Sequence, residues 1–234
     1  MRRGRTKKAP HSKRFSELNA KIDKTKAYSF EEAIKLAKDT ATAKFDSSID
    51  VAIKTGIDPA KSEQQIRSTV LLPNGTGKKI KIAVVAPAEK QKEAKAAGAD
   101  IVGGQEIIDE IAKTQKINFD ILVTMPEMMK DLAKVAKILG PKGLMPNPKT
   151  ETVTNNLKKT IEELAKGKIS FKNDDTGNIH LSIGKASFDD KKLQENYQAV
   201  VEALNKLKPA STKGIFIKNI TLSSTMGPGI RVQI

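Results

Sequence analysis

The stretch that decides the fold of this chain reads Lys79-Ile80-Lys81-Ile82-Ala83-Val84-Val85. It is a short apolar run of strand-forming residues, and a Lys-, Glu- and Ala-rich segment typical of a helix follows it as far as Gly98. Strands alternating with helices at this spacing predict a parallel sheet in a Rossmann-like three-layer unit. The further predicted strands lie at 101–102 and 119–123, and the further predicted helices at 106–113 and 128–139.

The N-terminal flank of this unit has a different texture. Ser29 and Glu32 stand at capping-box spacing before a predicted helix over 30–42. Two strands are predicted between 49 and 72, ahead of the turn signal Pro73-Asn74-Gly75. This flank opens an α+β arrangement.

The C-terminal flank returns to that α+β texture after Gly167. A hairpin is predicted around the turn Asp174-Asp175-Thr176-Gly177, followed by a long helix with its apolar face over 193–207 and by two closing strands. Neither flank has enough strands for a stable sheet alone, whereas together they supply about six strands and two helices.

The predicted fold class is therefore α/β, with one domain inserted into another. A split α+β sandwich domain is formed by 1–75 and 167–234, and a Rossmann-like three-layer domain at 76–166 is inserted into it. The two connections near 75 and 167 would form a double hinge.

Charge is concentrated at the N-terminus. The 234 residues contain 42 Lys or Arg and 27 Asp or Glu, a formal net charge of +15. Residues 1–26 hold ten basic and two acidic side chains, a net charge of +8. Such a block is typical of a flexible arm that binds phosphate, and a solvated tail is the alternative. The composition favours a polyanionic partner.

Several classes of protein are excluded by what the sequence lacks. There is no Cys, which excludes disulfides and Cys-ligated metals, and His11 and His180 are the only histidines, which excludes a multi-His metal site. No apolar run approaches the roughly 20 residues of a membrane-spanning helix, and Met1-Arg2-Arg3 does not lead into the apolar region of a secretory signal. We expect a soluble, cytoplasmic protein without metal or other cofactor.

Two glycine-rich segments raise the possibility of a nucleotide site. The stretch 74–79 lacks Walker A spacing and is better interpreted as a turn. Gly103-Gly104 lies between a strand and a helix, where phosphate can bind, but no dinucleotide fingerprint surrounds it. A nucleotide-dependent enzyme with its site in 76–166 is the rival of a non-enzymatic RNA-binding protein.

Several motifs are specific enough to indicate a family. The main motifs are Ala41-Thr42-Ala43-Lys44-Phe45-Asp46, Gly140-Pro141-Lys142-Gly143-Leu144-Met145-Pro146-Asn147-Pro148-Lys149 and Ser224-Thr225-Met226-Gly227-Pro228-Gly229, and 171–177 and 184–188 contribute as well. On these motifs the chain, from about Lys13 to its C-terminus, resembles the L-one family of large-subunit ribosomal stalk proteins.

The resemblance implies both a fold and a function. The fold is the split domain with an inserted Rossmann-like domain. The function is that of a monomeric, non-enzymatic constituent of the ribosome, with no membrane partner, which binds the mobile stalk of the large-subunit ribosomal RNA beside the exit site. There it would help tRNA to leave. A second implied role is repression of its own operon through binding of the messenger RNA.

The resemblance also implies an RNA-binding surface on the split domain. Structured RNA is recognised largely by shape, 2′-hydroxyls and backbone, with flat or apolar side chains laid against sugars and bases. Phe45 could be such a platform or a core residue. The stretch 225–229 could be an RNA contact or an ordinary connection between strands. The segment 140–149 could be an RNA-facing loop or could cover a sheet edge. The implied contacts are Lys44, Phe45, Ser48, Lys172, Asp174, Thr225, Met226 and Gly227.

Overall fold

The computed structural model of the protein describes residues 12–209, 212 and 214–233. The first eleven residues of the predicted basic arm, His11 among them, lie outside the described residues. In chain order the helices are α1 (Lys13–Ala20), α2 (Phe30–Asp39), α3 (Ala88–Ala96), α4 (Gln105–Thr114), α5 (Met129–Leu132), α6 (Ala136–Leu139), α7 (Leu157–Ala165) and α8 (Asp190–Lys206). The strands are β1 (Ser48–Thr55), β2 (Arg67–Leu71), β3 (Ile82–Val85), β4 (Ile101–Gly103), β5 (Ile121–Thr124), β6 (Lys168–Lys172), β7 (Asn178–Lys185), β8 (Ile217–Ser224) and β9 (Ile230–Val232).

The largest sheet is antiparallel and is built from both flanks of the chain. Its strand order is β7-β1-β8-β9, so the N-terminal β1 lies between two C-terminal strands. Alternate residues of β1 are buried, among them Ile49, Val51 and Ile53, as a strand with one buried face requires. The sheet can form only when the two flanks meet.

The helices α2 and α8 cover the buried face of this sheet. The predicted capping box is present, since the Glu32 amide donates to the Ser29 hydroxyl and the Ser29 amide to the Glu32 carboxylate. Phe30 of α2 and Tyr197 of α8 stack with their ring centroids 3.8 Å apart. The helix α2 ends at Asp39, three residues before the predicted end at 42.

The prediction of a hairpin between β6 and β7 is wrong. The strand β6 pairs with β2 in a separate two-stranded sheet, and it shares with β7 a single isolated bridge between Asn173 and Ile179. Asn173 stays on the β2 side because its amide donates to the Ile66 carbonyl and its side-chain oxygen accepts from the Ile66 amide. Those two bonds continue the β2 pairing where a hairpin would have begun.

The inserted segment forms the predicted Rossmann-like sandwich. Its parallel sheet has the order β4-β3-β5, and every residue of the central β3 is buried. One apolar cluster lies against α4, α5 and α6, the other against α3 and α7. The two-domain α/β fold class predicted from the sequence is thereby confirmed.

The single helix predicted over 128–139 is broken in the structure. Short α-helical turns, α5 and α6, alternate with 3₁₀ turns at Pro126–Met128 and Ala133–Val135. A 3₁₀ turn aligns residues three apart, and Leu132, Val135 and Leu139 are all fully buried. The segment thus keeps its apolar side chains against the sheet without one continuous helix.

The two connections between the flanks and the inserted segment meet at a pair of glycines. The Leu72 amide donates to the Gly167 carbonyl at 3.3 Å. Gly75 and Gly167 both have positive φ, and a Cβ on Gly167 would lie 2.5 Å from the Gly75 Cα. Sheet membership changes at this point, and 75/76 and 166/167 stay our predicted domain boundaries.

Within the described part of the chain, no helix has the length and apolar character needed to cross a membrane. The same residues contain no cluster of His, Asp and Glu that could hold a metal ion.

Candidate nucleic-acid interface

Two exposed apolar side chains lie at one end of the large sheet. Phe45 is 55% exposed and Met226 67% exposed. Phe45 lies three residues before β1 and Met226 two residues after β8, and these strands pair with Ile49 opposite Ser224. Of the two roles left open for Phe45, the structure shows the exposed ring and not the core residue.

The loop that carries Phe45 is fixed to the turn after β7. The Asp46 carboxylate accepts from the Ser187 amide at 3.2 Å and from the Ser187 hydroxyl at 2.8 Å. The Ser47 carbonyl accepts from the Ala186 amide at 2.8 Å. These contacts hold the base of the loop, so Lys44 and Phe45 are left exposed on a fixed backbone.

The loop that carries Met226 is fixed to the first residue of β1. The Ser48 amide donates to the Thr225 hydroxyl oxygen at 3.0 Å, and the Thr225 amide donates to the Ser48 carbonyl at 2.9 Å. The Thr225 hydroxyl is therefore committed to the protein backbone. A Cβ on Gly227 would overlap the Ser224 hydroxyl oxygen, so glycine at this position lets the Ser224 side chain keep its place.

The Met226 backbone adopts a conformation that side chains rarely take. Its φ is +64°, in the left-handed region. Strained backbone of this kind persists where neighbouring contacts determine it, and it concentrates at functional sites. The contacts of Thr225 and Gly227 supply that determination, with the result that a pliable apolar thioether is held out toward solvent.

The structure brings six of the eight implied RNA contacts together. They surround the Phe45–Met226 end of the sheet, and we call them the Phe45–Met226 surface. Its members are Lys44, Phe45, Ser48, Thr225, Met226 and Gly227.

Asp174 lies at the opposite end of the large sheet, and Lys172 ends β6 two residues before it in the chain. Asp174 precedes β7 at the point where Asn178 pairs with Lys54, whereas Ser48 is at the other end of β1. Six residues of strand separate the two ends, about 20 Å. The Asp174 carboxylate accepts from the Asn178 amide at 2.6 Å and from the Thr176 amide at 2.9 Å. These bonds, the first above all, hold the pKa of Asp174 well below its usual range and commit its carboxylate to the turn.

Sequence reasoning missed one residue that contacts this surface. Arg14 of α1 donates from Nη1 to the Thr42 hydroxyl at 2.9 Å and from Nη2 to the Met226 carbonyl at 3.1 Å. It therefore touches both loops of the Phe45–Met226 surface. The basic N-terminal block was the only signal in the sequence, and it does not distinguish Arg14 from its neighbours.

The chemistry of the Phe45–Met226 surface suits a structured nucleic acid. An aromatic ring and a thioether can lie against bases and sugars, while Lys44 can reach phosphate. The surface lies on a chain with a net charge of +15, which favours association with a polyanion.

The proline-rich segment 140–149 packs on the inserted domain. Leu144 and Met145 pack on a core cluster of the inserted domain. Just beyond the segment, Thr124 of β5 donates to the Thr152 carbonyl at 2.9 Å and accepts from the Thr154 amide at 3.0 Å, which pairs the edge of β5. This arrangement favours the sheet-covering alternative for the segment.

A buried lysine joins the two domains beside that segment. Lys168 of β6 donates to the Glu163 carboxylate at 2.7 Å and also to Glu151, both on the inserted domain. Burial would lower the pKa of Lys168, but the hydrogen bonds to the two carboxylates outweigh it and raise that pKa. The hydrogen bond from Lys168 in turn lowers the pKa of Glu163.

Comparison with known proteins gives a consistent result. The model of the family described as "Ribosomal protein L1p/L10e family" matches residues 37–228. The large ribosomal subunit protein uL1 of Thermosipho africanus is 52% identical over 223 residues, which cover 95% of this chain and 96% of that protein. The protein of the same name from Mycoplasma capricolum subsp. capricolum is 53% identical over 222 residues, which cover 95% of this chain and 98% of that protein.

Proposed function

The chain belongs to the ribosomal protein L1p/L10e family, and from that premise we propose that its Phe45–Met226 surface binds the stalk of the large-subunit ribosomal RNA. Members of this family are structural, non-enzymatic components of the ribosome. The chain is accordingly a constituent of the large ribosomal subunit, and the family predicted from the sequence motifs is confirmed. The rival interpretation as a nucleotide-dependent enzyme is wrong.

The glycines that suggested a nucleotide site have a packing role. A Cβ on Gly103 would lie 2.8 Å from the side chain of Ile107, a buried residue of α4. Glycine at 103 therefore leaves room for the Ile107 side chain against the end of β4. No cofactor is required to explain it.

The observation that supports the proposed RNA contact most directly is the shared position of the exposed Phe45 and Met226 side chains. Both side chains are more than half exposed, both stand on backbone fixed by hydrogen bonds, and both lie at one end of one sheet. Exposing two large apolar side chains to water in this way is unfavourable in free energy. A partner with flat bases and ribose faces would cover them.

Two finer roles are part of the proposal. We propose that the stalk contact lies beside the tRNA exit site and that the inserted domain assists the departing tRNA there. This is supported by the double connection at Gly75 and Gly167, where the two passages of the chain between the domains meet. We also propose that the protein represses its own operon by binding the messenger RNA with the same surface, because one surface that recognises RNA shape can bind two RNAs of like shape.

The test is a binding titration with a fragment of stalk ribosomal RNA. Met226→Asp places a carboxylate against RNA, so we expect affinity to fall by about 10- to 100-fold, or roughly 1.4 to 2.7 kcal/mol. Met226→Leu keeps the apolar bulk and should change affinity by less than about threefold.

Ile215→Asp is the matched control. Ile215 is 74% exposed and precedes β8, at the opposite end of the strand from Met226. Its substitution should leave RNA affinity unchanged. Equal affinity of Met226→Asp and the parent chain would overturn the proposed surface. A Met226→Asp variant that loses ribosomal RNA but retains the operon messenger RNA would overturn only the shared-surface mode of repression.

A further inference from the structure

Arg14 makes the only side-chain connection between the two exposed loops that the described residues show. Thr42 lies three residues before Phe45, and Met226 is itself the tip of the other loop. The other fixed points of these loops, Asp46 and Thr225, join each loop to the neighbouring strands or turn. The spacing between the outer parts of the two loops thus depends on the guanidinium of Arg14.

The helix that carries Arg14 is itself anchored. Leu18 of α1 is 3% exposed. The Ser12 hydroxyl accepts from the Phe15 amide at 3.3 Å and caps the helix. An arginine on an anchored helix can act as a brace between two loops.

The geometry requires an arginine. The planar guanidinium reaches a hydroxyl with one nitrogen and a carbonyl with another, whereas a lysine ammonium is a single point. The carbonyl it binds is that of Met226, whose backbone lies in the left-handed region. A hydrogen bond to that carbonyl restrains the strained peptide.

We propose that Arg14 is a positioning residue of the RNA-binding surface, which sets the spacing of Phe45 and Met226 and does not act mainly as a phosphate contact. The inference rests on the proposed function. A positioning role and a phosphate contact differ in whether lysine can replace Arg14. Lysine supplies the charge for phosphate but cannot span the Thr42 hydroxyl and the Met226 carbonyl.

The experiment compares Arg14→Lys, Arg14→Ala and the control Lys13→Ala in full-length protein. Lys13 is the exposed neighbour of Arg14 on the same helix. We expect both Arg14 variants to lose stalk-RNA affinity by about five- to tenfold. Arg14→Lys should leave the slope of log affinity against log salt unchanged, because no phosphate charge is lost.

Two further measurements separate positioning from charge and from misfolding. The methyl resonance of Met226 in the RNA-free protein should shift in Arg14→Ala and stay in place in Lys13→Ala, with unchanged thermal melts. In the double variant Arg14→Lys with Met226→Asp, affinity should fall no further than with Met226→Asp alone, because residues that act through one contact are not additive.

Each part of the proposal would be contradicted by a different result. Full affinity in Arg14→Lys, or additive losses in the double variant, would make Arg14 a phosphate contact. An unshifted Met226 resonance in Arg14→Ala would show that the brace does not set the loop. If Met226→Asp weakened binding while both Arg14 variants bound normally, only the positioning inference would fail. If Met226→Asp itself had no effect, the proposed function would fail.

Discussion

The two domains differ in how far along the chain their neighbours lie. In the inserted domain the three parallel strands occur between Ile82 and Thr124. In the split domain β1 pairs with β7 and β8, whose partner residues lie more than 120 positions later. The inserted domain is a product of local sequence, whereas the split domain depends on the meeting of distant segments.

The same contrast between local and distant contacts distinguishes the inserted domain from the Phe45–Met226 surface. The Phe45–Met226 surface and its brace come from both ends of the chain, because Arg14 and Met226 are 212 positions apart. A surface of this kind needs the correct register of the central sheet. Anything that weakens the split domain should therefore impair RNA binding, while the inserted domain can be altered more freely.

The largest effect is expected at Asn196, a fully buried residue of α8. Its side chain accepts from the Asn74 amide at 3.1 Å and donates to the carbonyls of Gly75 and Ile183. Asn196→Leu would leave these three backbone groups without their partner. We expect the free energy of unfolding of the split domain to fall by about 3 kcal/mol.

Tyrosine fluorescence measures this loss in one domain. The chain has no Trp and two Tyr, Tyr28 and Tyr197, both outside 76–166. The tyrosine transition should move to lower denaturant, while amide protection of β3 and β5 stays unchanged. Asn205→Ala, at an exposed position on the same helix, is the control. Loss of protection in β3 together with the tyrosine signal would show that the domains unfold as one.

A smaller effect is expected when Lys168 is replaced. Lys168→Met removes the cation that binds Glu151 and Glu163 across the domains. Glu151 is 62% exposed, so water replaces part of the lost interaction. We expect about 1 to 2 kcal/mol of lost stability and a looser contact, measured as a longer distance between spin labels on the two domains. Lys172→Met on the same strand should change neither.

The pH dependence of this contact has a definite sign. The pKa of Glu163 is lowered from its ordinary 4.5 in the folded protein, so its stabilisation is present above pH 4.5 and is lost as pH falls through the lowered pKa. The raised pKa of Lys168 keeps the contact past pH 10.5 and releases it as pH rises through the raised value. Lys168→Met should have a flatter stability profile in acid. An unchanged acid profile would contradict this assignment.

Removal of the inserted domain should change RNA affinity only modestly. Gly75 and Gly167 are in contact, so a short Gly/Ser linker can replace 76–166 without strain. Stalk-RNA affinity should remain within about tenfold of the parent, or 1.4 kcal/mol, with folding checked by circular dichroism. A folded deletion without affinity, alongside an isolated 76–166 fragment that binds the RNA, would reverse the comparison between the domains.

The smallest effect is expected on selectivity after removal of residues 1–11. This truncation removes five basic residues and retains Ser12, the cap of α1. The salt dependence of binding should become less steep, because fewer counterions are released. Discrimination between stalk RNA and random RNA should persist, since phosphate contacts do not specify sequence. Lost discrimination would mean that the arm, and not the Phe45–Met226 surface, selects the RNA.

The sequence predicted local features well and distant ones poorly. The capping box at Ser29 and the alternation of β1 were readable because each depends on residues a few positions apart. The partner of β6 was not, because the bonds between Asn173 and Ile66 join segments 107 positions apart. Phe45 could be placed in the interface by resemblance, but its exposure depends on tertiary packing.

The position of β1 in the large sheet has a consequence for synthesis. Ser48 leaves the ribosome well before Ile217 begins β8, and at 5 to 20 residues per second the interval is roughly ten to thirty seconds. During it the whole of 76–166 emerges and can fold by local contacts, while β1 waits for its neighbours. The Phe45–Met226 surface is complete only after β8 and Met226 have emerged, so chains that lack them should not compete with finished ones for RNA.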